Sequence, residues 1–442
     1  MGILEVSPVE ASQSQWTQRF HAVRAMTDTL SRRLTPEDQM VQSCPEASPV
    51  KWHLAHTTWF FETFVLRPYL SGYQPFHPDF IWLFNSYYKS LGNHPQKQLR
   101  SSFSRPSLQQ VQAYRRYVEQ AIEQLLSSHA SAEICDRIEL GMHHEQQHQE
   151  LIATDIKHAF WSNPLQPAYA EPPLPESSSQ ADAHRWLDYE GGAVEIGHRG
   201  HGFAFDNEFS RHPVILQPFR LASRPVTCAE YLSFIEDGGY RRPEFWLSDG
   251  WDTVQSLHWD APLYWNRKES GRWDVFTLRG TVPLDSLLST PVCHLCYFEA
   301  DAYARWAGCR LPTEFEWEHA ANSLPASGNL LENNVLHPMA QASADDSPHS
   351  RHGASQHQEL QQMFGDVWEW TQSAYTAYPG YQPAPGALGE YNGKFMCNQF
   401  VLRGGSVVTP ASHIRASYRN FFAPATRWQF SGLRLASDGG PA

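Results

Sequence analysis

A chain of 442 residues is too long for one ordinary hydrophobic core, so at least two domains are expected. A hydrophobic fraction of 41% and an aromatic fraction of 13%, with 16 Trp, describe a globular chain with much aromatic packing. The formal charge of −13 without a basic cluster argues against nucleic acid or an anionic membrane as partner, and no apolar run reaches membrane-spanning length.

The first residues, MGILEVSPVEAS, lack a signal-peptide core, and Val6 breaks the myristoylation pattern. Seven cysteines, an odd count spread over a long chain, point to a reduced, cytoplasmic protein. Cys293 and Cys296 form a CxxC with no second pair at zinc-ribbon spacing, so they read as core thiols.

Residues 15–35 predict an amphipathic helix with Trp16, Phe20, Val23 and Met26 on one side. Polar and Pro-containing residues 36–49 interrupt it. Residues 49–66, PVKWHLAHTTWFFETFVL, predict a second, apolar helix carrying His53 and His56. Histidines buried beside Trp52, Trp59, Phe60 and Phe61 are costly unless hydrogen-bonded or metal-bound. Residues 77–106 read as a loop containing Tyr87 and Tyr88; such a pair serves packing, or presents a phenol as proton donor. Residues 107–130 return to a helix, with Ser107 as N-cap and a Gln at the third helical position.

The next helix, 141–158, carries His144 and His148. Four residues is just over one turn, so both imidazoles leave the same face, as two ligands of one metal ion require. Glu145 completes an HExxH pattern, which in zinc proteases supplies a general base. The metzincin continuation fails, because Leu151 and Thr154 stand where Gly and His are needed. The rival reading is three neutral histidines from two helices, with His56 as the third, leaving open positions suited to non-haem Fe(II) and oxygen chemistry. Four helices with long connections suggest a bundle with a metal site between facing helices.

Residues 163–183 carry five Pro and several Ser, a linker signature. Beyond them short β-like runs at 193–196, 212–219, 401–403 and 432–436 alternate with helical patches at 228–237 and 299–306, predicting a mixed α+β domain. Residues 340–362, rich in Gln, Ser and His, read as an exposed loop. FGDVWEW (364–370) and LRGGS (402–406) read as packed turns. YRNFF (418–422), followed by RWQFSGLR (427–434), reads as core or as an aromatic pocket for a cationic or zwitterionic small molecule.

Taken in order, PVKWHLAHTTWFFE, FNSYY, HHEQQHQE, FDNEF, RPVTCAEYLSFIEDGGYRRPEFWLSDGW, ARWAGCRLPTEFEWE, GDVWEW and YRNFF…RWQFSGLRLA resemble the sulfoxide synthases of ergothioneine biosynthesis, from about residue 15 to 438. The resemblance implies an α+β multidomain protein. A DinB-like four-helix bundle over 15–162 and the linker at 163–183 lead to a formylglycine-generating-enzyme-like domain, related to C-type lectins, over 184–438. It implies an Fe(II) site of His56, His144 and His148, with His53 a neighbour. The implied reaction couples a thiol to the imidazole C2 of hercynine, the trimethylated betaine of histidine, with O2 as oxidant. Gln147 is carried over as the residue that holds the hercynine imidazole, and Asn420 as a substrate-binding residue.

Phe421 and Phe422 replace the Trp and Asp of family members that use γ-glutamylcysteine, which points to free cysteine as donor. Leu388 stands where those members place a catalytic Tyr; the second, cysteine-using type supplies it from NSYY, here Tyr87 and Tyr88. Relatives carry an Arg-rich loop after NSYY, but here HPQKQLRS keeps only Lys97 and Arg100 as candidates for the donor carboxylate. Two alternatives stay open: a selenoneine synthase, which takes a selenosugar, and an HExxH zinc hydrolase. The expected partners are hercynine, cysteine and O2, without nucleic acid or membrane; the oligomeric state is left undefined.

Overall fold

The computed structural model describes residues 13–128, 131–174, 183–341 and 360–439. The N-terminal dodecapeptide, residues 175–182 of the linker and most of the 340–362 segment lie outside the described residues. The chain divides into two compact units, one ending at Ile156 and the other beginning at Lys157. Among the described residues no helix is long and apolar enough to cross a membrane.

The first unit is helical: α1 (Gln13–Arg32), α2 (Val50–Phe61), the short α3 (Arg67–Tyr69) and α4 (Phe80–Leu83), α5 (Leu108–Ser128) and α6 (Ala132–Ser162), whose residues from Lys157 on belong to the second unit. Every residue of α2 is buried, so it is a central helix without a solvent stripe. It continues without a break as a π turn at Glu62–Leu66. The Glu62 carboxylate accepts hydrogen bonds from the hydroxyls of Tyr73 (2.7 Å) and Tyr114 (2.8 Å), which ties the turn to α5. The predicted cap opens α5: Ser107 Oγ accepts from the Gln110 N–H at 3.2 Å, and Gln110 Oε1 accepts from the Ser107 N–H at 2.8 Å. Helices α2 and α6 approach closely at Gly141, where a Cβ would run into the Phe61 ring.

The 77–106 segment differs from the expected loop. It holds α4 and 3-10 turns at Lys89–Leu91 and Lys97–Ser102. The NSYY stretch is turned, because Asn85 Oδ1 accepts from the backbone N–H groups of Ser86 (2.7 Å) and Tyr88 (3.3 Å), while Asn85 Nδ2 donates to the Tyr88 carbonyl at 3.0 Å.

Among the described residues the second unit holds four small sheets. β1 (Trp186–Tyr189), β4 (Phe219–Ala222) and β12 (Ala436–Asp438) form one, with β4 central. β2 (Gly192–Ile196) pairs with β3 (His212–Leu216), and β5 (Trp265–Arg267), β6 (Trp273–Thr277) and β7 (Gly280–Pro283) form a meander. The fourth sheet runs β10 (Asn420–Phe422), β9 (Phe400–Arg403), β8 (Trp368–Ala374), β11 (Ser431–Gly432). Helices α7 (Cys228–Glu236), α8 (Ser248–Leu257), α9 (Tyr297–Trp306) and α10 (Glu314–Ala321) complete the unit. The run read as one strand over 212–219 breaks between β3 and β4 at Gln217–Pro218, where Pro cannot donate to a ladder.

GDVWEW is not only a turn. Its second half enters β8, with partners on both sides, and Trp368, Glu369, Trp370 and Thr371 are all buried. LRGGS does turn: Gly404 and Gly405 follow β9 with φ of +96° and +78°, where a side chain would be strained. Buried ion pairs lock these motifs. Glu369 accepts from Trp317 Nε1–H and Arg434, both at 2.8 Å, and Glu314 accepts from Arg403 (2.7 Å) and Arg419 (2.8 Å). All seven cysteines are free thiols, and Cys293 and Cys296 are buried.

Candidate metal centre

His56 lies on α2, and His144 and His148 lie one turn apart on α6. One ring nitrogen from each comes within 4.8 Å of the others, and all three residues are buried. The ring centroids are 5.1 Å (His56–His144), 4.9 Å (His56–His148) and 4.7 Å (His144–His148) apart. Aromatic planes hold the imidazoles in place: His56 stacks between Trp52 (4.4 Å) and Trp59 (5.3 Å), and His144 stacks on Phe60 (4.5 Å).

Burial in this apolar shell penalises imidazolium. It pushes His144 down to about 3, and it holds His56 and His148 well below the usual histidine range, helped by the neighbouring His144. Neutral imidazole is the form that carries a lone pair for a metal. The His56 tautomer follows from its partner. Nδ1 lies 2.6 Å from the Phe84 carbonyl, which only accepts, so Nδ1 carries the hydrogen and Nε2 the lone pair. That Nε2, and both ring nitrogens of His144, are buried without a hydrogen-bond partner. Buried polar atoms are rarely left so, and three soft-to-borderline nitrogen donors within 4.8 Å of one another fit a divalent transition metal.

Glu145 sits elsewhere. It is fully buried, and its carboxylate accepts from Arg24 at 2.9 Å and Arg115 at 3.2 Å. Despite burial, these two guanidiniums hold it down at about 2. A carboxylate clamped this way is a poor general base, so the HExxH pattern here joins a buried histidine pair to a structural ion cluster.

The structure brings some of the other expected residues near this centre. Arg100 is buried, its guanidinium 3.4 Å from the Trp52 ring centroid, on the aromatic stack that holds His56. It donates to Ser48 Oγ at 2.8 Å and Ser86 Oγ at 3.3 Å, and has no carboxylate partner among the described residues; burial pushes it down to about 9. Lys97 is spent on the Glu46 carbonyl. Tyr88 is 1% exposed, packed on Trp59 (5.5 Å) and Phe64 (5.2 Å), and Tyr87 lies against it at 4.7 Å. An extended run would send these phenols to opposite sides; the Asn85 turn places their rings together. Gln147 is half-buried on α6 beside His148.

Asn420, Phe421 and Phe422 belong to the second unit, where they form the edge strand β10. Phe421 stacks on Tyr375 at 4.1 Å, and Phe422 meets Trp428 edge-on at 5.8 Å. Arg419, by contrast, points into the core toward Glu314.

Asp155 escaped the sequence reading. Its Oδ2 accepts from the Ser48 N–H at 2.8 Å and lies 3.0 Å from His53 Nε2; His53 Nδ1 in turn lies 2.7 Å from His148 Nδ1. Its signal was spacing: Asp155 stands seven residues, about two turns, beyond His148 on the same helix face.

Residues 171–439, more than half the chain, match the family described as a sulfatase-modifying factor enzyme 1-like domain. Among curated relatives, a hercynine oxygenase of Mycolicibacterium thermoresistibile is 38% identical over 259 residues, covering 53% of this chain and 54% of its own. A hercynine oxygenase of Mycolicibacterium smegmatis is 37% identical over 252 residues, covering 53% of this chain and 56% of its own. Ergothioneine biosynthesis protein 1 of Schizosaccharomyces pombe is 28% identical over 248 residues, covering 53% and 28%. The chain thus aligns with about half the length of the first two. These relatives bear out the resemblance drawn from the motifs, and the chain belongs to the sulfatase-modifying factor enzyme 1-like family.

Proposed function

We propose that the protein is an Fe(II)-dependent sulfoxide synthase that joins the sulfur of cysteine to the imidazole C2 of hercynine, using O2. One observation carries this reading: three buried, neutral imidazoles on two helices bring ring nitrogens within 4.8 Å of one another, those of His56 Nε2 and His144 without hydrogen-bond partners, in a chain related to hercynine oxygenases. Fe(II) held by His56, His144 and His148 would supply one-electron chemistry toward O2 and a thiolate, with positions left open for both. The balance closes with no further reductant. A C–S bond forms, one oxygen atom ends in the sulfoxide, and the other leaves as water with the hydrogens of the C–H and S–H groups.

In this reading the chain's own groups orient and protonate. Arg100, a buried guanidinium without a carboxylate, binds the carboxylate of the sulfur donor, with Lys97 adding charge nearby. Gln147 holds the hercynine imidazole, and Asn420, Phe421 and Phe422 are substrate-binding residues. Tyr87 or Tyr88 supplies a proton to reduced oxygen. The helical unit is DinB-like and the second unit lectin-related, with residues 15–162 and 184–438 as the two domains, in a cytoplasmic protein.

Arg100 weighs against a selenosugar donor, which has no need of a guanidinium for a carboxylate. The arginine clamp on Glu145 weighs against a zinc hydrolase. Oxygen uptake by Fe(II)-loaded protein tests the proposal: uptake should require hercynine and cysteine together and be absent with Zn(II). Equal uptake without hercynine would remove the coupling reaction.

A further inference from the structure

Of the three histidines, His148 alone has its second ring nitrogen held by another side chain at hydrogen-bond distance, and that side chain is itself held by a carboxylate. With neutral imidazoles and an Asp155 carboxylate, the protons in this chain have one consistent arrangement. Asp155 Oδ2 already accepts from the Ser48 N–H, so it acts as an acceptor toward His53 as well. His53 then carries its hydrogen on Nε2 and a lone pair on Nδ1. That lone pair accepts from His148 Nδ1–H, which leaves the His148 lone pair on Nε2. Both His53 nitrogens are engaged, at 3.0 Å and 2.7 Å, so His53 has no lone pair for a metal of its own. All three residues are buried, at 5% (Asp155), 2% (His53) and 8% (His148) exposure.

We propose that His53 and Asp155 are positioning residues: the Asp155–His53–His148 chain fixes the His148 tautomer and ring orientation and raises its donor strength at the metal centre. This rests on reading His56, His144 and His148 as that centre. A carboxylate acting on a ligand histidine through a hydrogen bond orients it and polarises it toward the metal. Here an intervening imidazole relays the effect across the gap between α6 and α2. The three ligands are then held unequally: His56 by a carbonyl, His148 by an anionic relay, and His144 by stacking on Phe60.

The test uses Co(II) as probe, with full-length protein, competition against a chromophoric chelator, and the visible ligand-field spectrum as second readout. His53→Ala and Asp155→Ala should each weaken Co(II) binding roughly 10–100-fold and shift the ligand-field bands. His53→Asn, whose amide oxygen can accept from His148 Nδ1–H, should recover much of the loss. Wild-type affinity and bands in both alanine variants would overturn the proposal. Should the alanine variants fail to fold, Asp155→Asn decides: it keeps an acceptor oxygen but no charge, so weaker Co(II) binding with unchanged metal-free melting supports the relay, and wild-type affinity overturns it. Absence of Co(II) binding in the wild type is a different failure, because it removes the metal centre itself.

Discussion

Replacing Glu145 by Gln separates the two meanings of the HExxH pattern. In a hydrolase this change removes the base and leaves the fold intact. Here the carboxylate is fully buried between Arg24 and Arg115. The guanidiniums depress it from 4.5 to about 2. A tenfold change in proton affinity is about 1.4 kcal/mol, so the depression corresponds to about 3 kcal/mol. Breaking a buried pair by removing one partner costs about 3–5 kcal/mol, because the other charge stays buried. Glu145→Gln should therefore lose about 3 kcal/mol of stability at pH 7, read by urea unfolding of metal-free protein with far-ultraviolet circular dichroism.

The sign of the pH dependence follows from the lowered value. The wild type's advantage is complete above about pH 4.5 and fades as pH falls toward 2. Co(II) affinity of the folded variant should match the wild type. An equally stable Glu145→Gln, or a stable variant that loses a hydrolytic activity present in the wild type, would refute the structural role.

His56→Ala, His144→Ala and His148→Ala should each abolish metal binding measured by calorimetry, whereas His143→Ala should leave it; retention in His56→Ala would break the three-histidine assignment. Arg100→Gln should raise the KM for cysteine roughly 10–100-fold, the worth of a charge-assisted hydrogen bond, and spare that for hercynine; an unchanged KM would place the donor carboxylate elsewhere. Tyr87→Phe and Tyr88→Phe, singly and together, keep ring packing and remove the acidic proton. The ratio of coupled product to cysteine sulfinic acid should fall in at least one single variant and in the double, and an unchanged ratio in the double variant would show that neither phenol carries the proton.

What could be read from the sequence was local. The i, i+4 histidines, the Ser107–Gln110 cap and the apolar run of α2 each obey a short-range rule, and each appears in the structure. Elements set by tertiary context were hidden. β8 is buried on both faces, so Trp368–Thr371 shows no alternation and reads as a packed turn. The meander β5–β7 mixes Trp, Asn, Arg and Asp, and its apolar row, Trp265, Val275 and Val282, comes together only through cross-strand pairing. The π turn after α2 has no sequence signature of its own; Glu62 and its two tyrosines come together only in the fold. His53 was legible as a neighbour of the site, but its link to Asp155 spans 102 residues and depends on α2 lying against α6.

The proposed reaction is oxygen-dependent formation of a carbon–sulfur bond at the three-histidine centre. Its most direct test is mass spectrometry of the product made by Fe(II)-loaded protein from hercynine with cysteine and a selenosugar in competition, under isotopically heavy O2. Hercynylcysteine sulfoxide carrying one heavy oxygen should form, and should be lost in His144→Ala. Oxidised cysteine alone, a selenium adduct, or coupled product without the label would contradict it.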